Sequence, residues 1–475
     1  MASVPAAKGV EAEVLRESIE GSWPLLKRER TWGRSGVYAV TISAGIAGWA
    51  YAIGGAVAYY LPAWAGIFAM FGGALLGTYI VFYASVPVSV KYGLDTIAAT
   101  KPAYGTRGSI VTILMQYIAI IGWNCILLIL VGKSVGEVLV AGGVISEGSQ
   151  FTVQVIASLV VIGITFGLLW GGASRVRSSS MVIAALVLAA GIILFVFLVV
   201  NFGFSAIGEA KPLYSTGDKK LDFTLGFEVF TATLLTWWPY MGSIMRMARS
   251  GGEAKWPALL CLGGITAAIS LLGLFAALVT QSSDPAVYMV KVAGVWGGAL
   301  ALAFVALANV GTAIVGVYVT AVGLKQIPAL QYRMGWKVTI AVVLIPVAII
   351  AATIPNLFFE KIGQFLSFQG MVFGPICGVM IIDYFVFRKS RLHLPSLYDY
   401  TSRSRYHYWG GVNWIAIVAT GAGIGAYYYL LNPYWFTSRQ PFEWTTASIP
   451  SVLVGMLAHW VLTKAIVMPA KKGGY

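Results

Sequence analysis

Twelve stretches of the chain are apolar enough to be read as helices that cross a bilayer. They fall at roughly 36–60, 64–90, 108–140, 152–172, 179–203, 223–248, 257–281, 292–323, 336–355, 360–387, 411–431 and 446–466. A helix needs about 20 mostly apolar residues to cross the hydrocarbon core. The polar residues gather between these runs. Backbone groups in lipid must be satisfied internally, and the period-2 alternation of a membrane barrel is absent, so helices are the only reading. Residues 1–35 are polar and mixed in charge, with no short apolar core ahead of a small-residue cleavage site. No signal peptide is expected there, and targeting falls to the first span.

Composition removes the soluble alternatives. Of 475 residues, 58% are hydrophobic and 11% charged, where an average soluble protein has about 25% charged. The mean hydropathy is +0.80. So few charges cannot coat several globular surfaces, which excludes a soluble enzyme, a DNA-binding protein and a disordered scaffold. The net charge of +14 then reads as orientation rather than nucleic-acid binding. With the N-terminus inside, 25 of the 32 Lys and Arg fall in cytoplasmic segments and 6 outside; Lys133 lies within the third span. That bias predicts an even number of spans, both termini cytoplasmic and a multi-pass protein of the inner (plasma) membrane. Cys125, Cys261 and Cys377 sit in apolar runs without metal-ligand spacing and read as buried apolar residues.

Two spans carry breakers. The first reads TISAGIAGWAYAIGGA, with Gly45, Gly48, Gly54 and Gly55. The sixth reads TATLLTWWPYMGSIMR; Pro239 lacks an N–H and Gly242 adds freedom. These spans are five helices apart. A block of five helices reverses direction in its copy, so matching breaks predict an inverted-repeat transporter with its site at the breaks. Spans eleven and twelve are then accessory.

Ionisable groups at membrane depth are functional candidates. Glu137 stands four residues after Lys133, the spacing of a helical ion pair. Glu228 lies early in the sixth span, where a vestibule or gate role is open to it. Asp383 precedes Arg388 at the inner interface, and His459 reads as a satisfied interfacial histidine. No carboxylate falls at the midplane, which favours an ion held by carbonyls and hydroxyls over a carboxylate proton relay. Trp123, beside Asn124 in the third span, and Trp237 at the break of the sixth are placed to sandwich a planar ring. Ser43, with Asn309, Thr312, Tyr318 and Thr320 of the eighth span, would supply oxygens to a cation.

The stretches FGPICGVMIIDYFVFRKSRLHLPSLYDY (373–400), YHYWGGVNW (406–414) and AATKPAYGTRGS (98–109) resemble the nucleobase–cation symporter family, which includes the bacterial hydantoin, allantoin and cytosine permeases. The resemblance runs from about residue 30 to 465. It implies an all-α polytopic membrane protein of twelve transmembrane helices with a LeuT-like five-plus-five inverted repeat. Helices 1 and 6 are broken and two accessory helices follow. The division is then a cytoplasmic segment 1–35, a first repeat 36–203, an extracellular loop 204–222, a second repeat 223–388, a cytoplasmic loop 389–410, accessory helices 411–466 and a tail 467–475. The family's stacking tryptophans match Trp123 and Trp237. Its sodium ligands match Ser43, Ile46, Ala308, Gly311 and Thr312, and Gly311 offers no side-chain oxygen. Where the family reads a ring edge with amides, this chain has Ala47, Leu127 and Val317; Asn124, Asn309, Gln364, Ser367 and Gln369 are the polar groups left for that task.

The expected function is a symporter, not an enzyme, importing a small planar nitrogen heterocycle by alternating access. Sodium or a proton is its coupling ion, and it needs no cofactor. Its partners are the small-molecule substrate and the lipid bilayer, and it works as a monomer without nucleic acid. The apolar replacements keep open another small solute, such as a vitamin-like aromatic or a small amine. Gly311 keeps open a sensor that has lost transport.

Overall fold

The computed structural model describes residues 23–170, 176–331 and 333–475. Residues 1–22 of the expected N-terminal segment, with Lys8 and Arg16, and Arg175 in the loop after the fourth span lie outside them. Each of the twelve apolar stretches contains helix among the described residues. Among the described residues, eight helices are long and apolar enough to cross a bilayer unaided, matching spans two, three, four, seven, eight, nine, ten and twelve. Two bent pairs add the first span (Arg34–Ser43 with Gly48–Ala58, 54°) and the fifth (Leu188–Asn201 with Gly203–Glu209, 92°). The sixth is divided into Lys219–Leu235 and Trp238–Met245, and neither half is long enough alone. The eleventh, Trp414–Leu430, has 17 residues. Large apolar side chains such as Trp64, Phe68 and Trp296 stay exposed, as a lipid-facing rim requires.

The packing has the symmetry of an inverted repeat. The outer half of the first span (Gly48–Ala58) packs on the seventh, and Lys219–Leu235 of the sixth packs in the same way on the second. The third span packs on the fourth as the eighth packs on the ninth, and the third and eighth pack on each other across the centre. The eleventh and twelfth pair with each other and lean on the tenth.

Both breaks exist, but they differ in kind and position. In the first span the helix stops at Gly45; Ile46 (φ −127°, ψ 81°) and Ala47 (φ −123°, ψ −173°) are non-helical, and a new helix starts at Gly48. Gly54 and Gly55 do not weaken the span, contrary to the sequence reading. They let neighbouring backbone close in: a Cβ on Gly54 would lie 2.0 Å from the Ser270 carbonyl oxygen, and one on Gly55 2.4 Å from that of Ser283. In the sixth span the interruption is a tight turn at Thr236 and Trp237, ahead of the expected breakers. Pro239 sits in the first turn of the second half, where its missing N–H costs nothing. Gly242 is a contact position, since a Cβ there would meet Ser89 and Thr96 at 2.6 Å.

Candidate functional site

The two breaks meet the third and eighth spans in a small chamber lined by Trp49, Trp123, Leu127, Thr236, Trp237, Tyr240 and Thr312. The expected tryptophans face it, but not as an open sandwich. Trp49, in the first turn after the break, stands between them. Its ring lies 5.6 Å from Trp123, edge-on, and 5.9 Å from Trp237. Tyr240 continues the wall 5.2 Å from Trp237, and Phe365 of the tenth span covers the far edge of Trp123 at 5.4 Å. The space left is about 20 Å³, room for about one water molecule.

The amides have distinct assignments. Asn309 does not face the chamber. Its Oδ1 accepts from the Gly48 N–H at 2.6 Å and its Nδ2 donates to the Leu127 carbonyl at 2.9 Å, bracketing the first, third and eighth spans. A Cβ on Gly48 would strike this bracket at 2.8 Å. Asn124 is fully buried beside Gly316 and the Tyr240 hydroxyl, and neither end of its amide finds a partner among the described residues. The Trp123 Nε1 is likewise unpartnered. Gln364 lines the vestibule described below, and Ser367 is buried in the tenth span. Of the positions where the resemblance put amides, Leu127 lines the chamber and Ala47 and Val317 are buried outside its wall.

Of the residues expected to hold a cation, Ser43 of the first span and Thr312 of the eighth are in contact. The Thr312 hydroxyl donates to the Ser43 carbonyl at 3.0 Å, joining the two spans beside the chamber. The Ser43 hydroxyl turns back to the Val40 carbonyl at 3.4 Å. The non-helical Ile46 leaves its carbonyl outside the helical ladder, and Ala308 and Gly311 are buried on the facing turn.

At the end of the bundle away from the N-terminal segment a vestibule of about 500 Å³ opens, lined by Tyr59, Tyr60, Lys133, Asp284, Glu360 and Gln364 among others. Lys133 pairs here with Asp284, which caps the eighth span. The expected Lys133–Glu137 pair is therefore not formed. Glu137 instead accepts from Gln150 at 2.9 Å, because a partner on an adjacent helix is better placed than one a turn along. Glu228 is no vestibule residue either. Its carboxylate accepts from the Ser448 hydroxyl at 2.6 Å and from the Ala447 and Ser448 N–H groups at 3.1 Å, capping the twelfth span.

The other end is sealed. Asp95 accepts from Gln326 Nε2 at 2.6 Å and from the N–H groups of Ile97 and Ala98. The Lys101 ammonium donates to Gln326 Oε1 at 2.8 Å and to the Tyr400 hydroxyl at 3.0 Å, and it lies 4.7 Å over the Tyr398 ring. Arg246 donates to the Tyr318 hydroxyl at 2.8 Å. Burial lowers the Lys101 ammonium to about 8, opposed by the nearby Asp95 charge. Burial raises the Asp95 carboxyl, opposed by Arg246, the backbone donors and Lys101. Asp383, which the sequence places at the inner interface, pairs with Arg388 at 2.6 Å, with His459 Nε2 3.7 Å from it.

A family model described as permease for cytosine/purines, uracil, thiamine, allantoin matches residues 24–440. The chain belongs to this family. It is 21% identical over 418 residues to the hydantoin permease of Microbacterium maritypicum, covering 83% of this chain and 81% of that one. It is 33% identical over 120 residues to the allantoin permease of Bacillus subtilis (strain 168), covering 24% and 22%. The structure of Mhp1, a nucleobase-cation-symport-1 family transporter with bromovinylhydantoin bound, superposes with a TM-score of 0.74 at 17% identity, covering 94% of this chain and 96% of that one. A sodium-coupled sialic acid symporter gives 0.60 at 16% identity, covering 96% of each. The fold is thus the five-plus-five inverted repeat, and the protein is a membrane transporter rather than an enzyme.

Within the family's frame, the sequence reading missed Trp49, Thr236 and Tyr240. Trp49 is the first aromatic residue after the Gly48 restart, and Tyr240 follows Trp237 by three. Those spacings around the two breaks were the available signal.

Proposed function

We propose that this permease is a cation-coupled symporter for a small planar nitrogen heterocycle such as a nucleobase, hydantoin or allantoin. The observation that carries the reading is the aromatic chamber at the junction of both broken helices, one hydrogen bond away from the Ser43 carbonyl. Trp123 and Trp237 hold the ring by its faces once Trp49 leaves the space between them. Asn124 and the Trp123 N–H, both buried without partners, supply the polar contacts to the ring edge; a ring that satisfies them removes a cost of about 1–3 kcal/mol for each group. Sodium is the coupling ion, held by the carbonyls of Ser43, Ile46 and Ala308 and by the Thr312 hydroxyl. Gly311 adds no ligand. Broken helices commonly hold coupling ions through such oxygens. The vestibule end faces outward, the Lys- and Arg-rich termini face the cytoplasm of the inner membrane, and the protein acts as a monomer.

A second solute class is favoured by one observation. Three indoles and a phenol form the wall beside apolar Leu127, a lining that suits a cationic aromatic or small amine through cation–π attraction. Uptake into proteoliposomes tests both readings. Labelled uracil, cytosine, adenine, allantoin, hydantoin and thiamine are offered with and without an inward sodium gradient. Sodium-dependent uptake of a neutral heterocycle, lost in Trp123→Ala, is expected. Uptake of thiamine alone replaces the first solute class with the second. Uptake that ignores sodium overturns the ion assignment, and uptake of none by folded protein overturns the heterocycle reading.

A further inference from the structure

A second cavity, remote from the chamber, lies where the chain leaves the tenth span. The span ends at Phe387, and Lys389 and Ser390 turn the chain at positive φ (48° and 60°). The turn is pinned on three sides. The Ser390 N–H donates to the Tyr384 carbonyl at 2.8 Å, and the Ser390 carbonyl accepts from Lys91 Nζ at 2.7 Å and the Tyr92 hydroxyl at 3.1 Å. Arg391 follows directly and so has a fixed base. Opposite it, the Arg405 N–H donates to the Ser396 hydroxyl at 3.3 Å, and that hydroxyl also meets His393 Nδ1 at 2.8 Å. The C-terminal residues close the third side, where the Gly473 carbonyl accepts from Arg388 at 2.9 Å.

The cavity measures about 260 Å³, and Arg388, Arg391, His393 and Arg405 all line it. Their charges are not equivalent. Arg388 is neutralised by Asp383 at 2.6 Å, and its remaining donors are engaged by the Pro102 carbonyl at 2.6 Å, the Tyr408 hydroxyl at 2.9 Å and Gly473. Arg391 and Arg405 form no ion pair among the described residues, and no carboxylate, the terminal one included, pairs with either. Two exposed guanidinium groups without a carboxylate partner thus line one preformed cavity. Guanidinium forks match the oxygens of a phosphate in pairs. Phe387 and Leu392 give the cavity an apolar border at the depth where a membrane span ends. Basic pockets at that depth suit acidic lipid headgroups.

We infer that this cavity binds a phosphate-bearing anion, held by Arg391 and Arg405 with His393 as a further donor. The anion is supplied either as the headgroup of an acidic phospholipid or as free phosphate. The site stands on its own geometry and is independent of the transported solute.

Binding to the full-length protein in detergent tests this, read by native mass spectrometry and by the thermal unfolding midpoint. The probes are a short-chain phosphatidylglycerol, the matching phosphatidylcholine and inorganic phosphate. The expected result is phosphatidylglycerol binding at least tenfold weaker in Arg391→Ala/Arg405→Ala than in the native chain, with phosphatidylcholine binding equal in both. The same discrimination by inorganic phosphate alone, without preference for the lipid, assigns the site to the free anion. Equal phosphatidylglycerol binding by native and double-variant protein overturns the inference. Arg405 packs on the C-terminal segment, where a Cβ on Gly474 would lie 3.0 Å from it. Should the double variant fail to fold, Arg391→Gln at an exposed position takes its place, with at least threefold weaker binding expected and unchanged binding overturning the site.

Discussion

The two ends of the bundle are closed by different means. The vestibule end holds about 500 Å³ of open space, bordered by rings and one partly exposed ion pair, Lys133 with Asp284. The opposite end is shut by fully buried polar groups, with Asp95, Lys101 and Arg246 each almost completely hidden from solvent. A rim of that kind costs little to rearrange, because a partly exposed pair contributes about 1 kcal/mol or less. A buried network does not loosen by degrees. It must open as a unit and admit water to every member, since each charge left dry and unpaired is costly. The contrast says that opening at the sealed end is the expensive half of the transport cycle, and that solute and ion are the natural sources of the required free energy.

Three changes break or sharpen this contrast. The largest effect is expected for Asp95→Ala. It removes the acceptor of the Gln326 Nε2 bond and a nearby opposite charge of Lys101 and Arg246, at a cost of about 1–3 kcal/mol or more for buried donors deprived of an acceptor. The expected outcome is a lower unfolding midpoint together with faster labelling of cysteines introduced at the sealed end. A midpoint unchanged in this variant would show that the network holds nothing closed. Next comes Trp49→Phe, which frees volume between Trp123 and Trp237 without touching either end. Affinity for the transported ring should rise about tenfold, or about 1.4 kcal/mol. Weaker binding would instead make Trp49 part of the wall that grips the solute.

The smallest effect is in pH. Burial lowers Lys101 to about 8, against an ordinary 10.5. Below pH 8 the sealed protein carries the full cost of a buried ammonium. As pH rises from 8 towards 10.5, the sealed state has shed a proton that an unfolded or opened chain still binds, so the sealed state gains. The groups facing Lys101 are Asp95, Gln326, Tyr398 and Tyr400, and burial holds Tyr398 well above its ordinary range, outside this window. Unfolding midpoints followed from pH 8 to 10 should rise in the native chain relative to Lys101→Met. Parallel curves would remove Lys101 as the cause.

The helices were legible because apolar run length is a direct physical requirement of the bilayer, and each of the twelve runs contains helix among the described residues. The existence of the breaks was legible, since Gly45 and Gly48 flank the first and Pro239 follows the second by two residues. Their positions were not, because a proline in the first turn of a helix looks the same in sequence as one that breaks it. Side-chain partners were least legible. Lys133 and Glu137 have the spacing of a pair, yet Asp284 on another helix takes the lysine. Asn309 looked like a group free to read a substrate, and its role as a bracket depends on two backbone atoms of other spans. Trp49 went unremarked because its only signal was its place beside the Gly48 restart, and an indole in an apolar run does not otherwise show what it faces.

The Asn309 bracket has a mechanical consequence. One side chain fastens the start of the outer half of the first span to the third and eighth spans, so these three elements share a fixed point near the middle of the molecule. Bodies joined at a point can tilt about it but cannot slide past it. Displacement in such a lever grows with distance from the pivot, leaving the aromatic chamber nearly still while the two ends of the bundle swing. Distance probes for the transport cycle therefore belong at the helix ends, and labels beside Gly48 should report almost no movement.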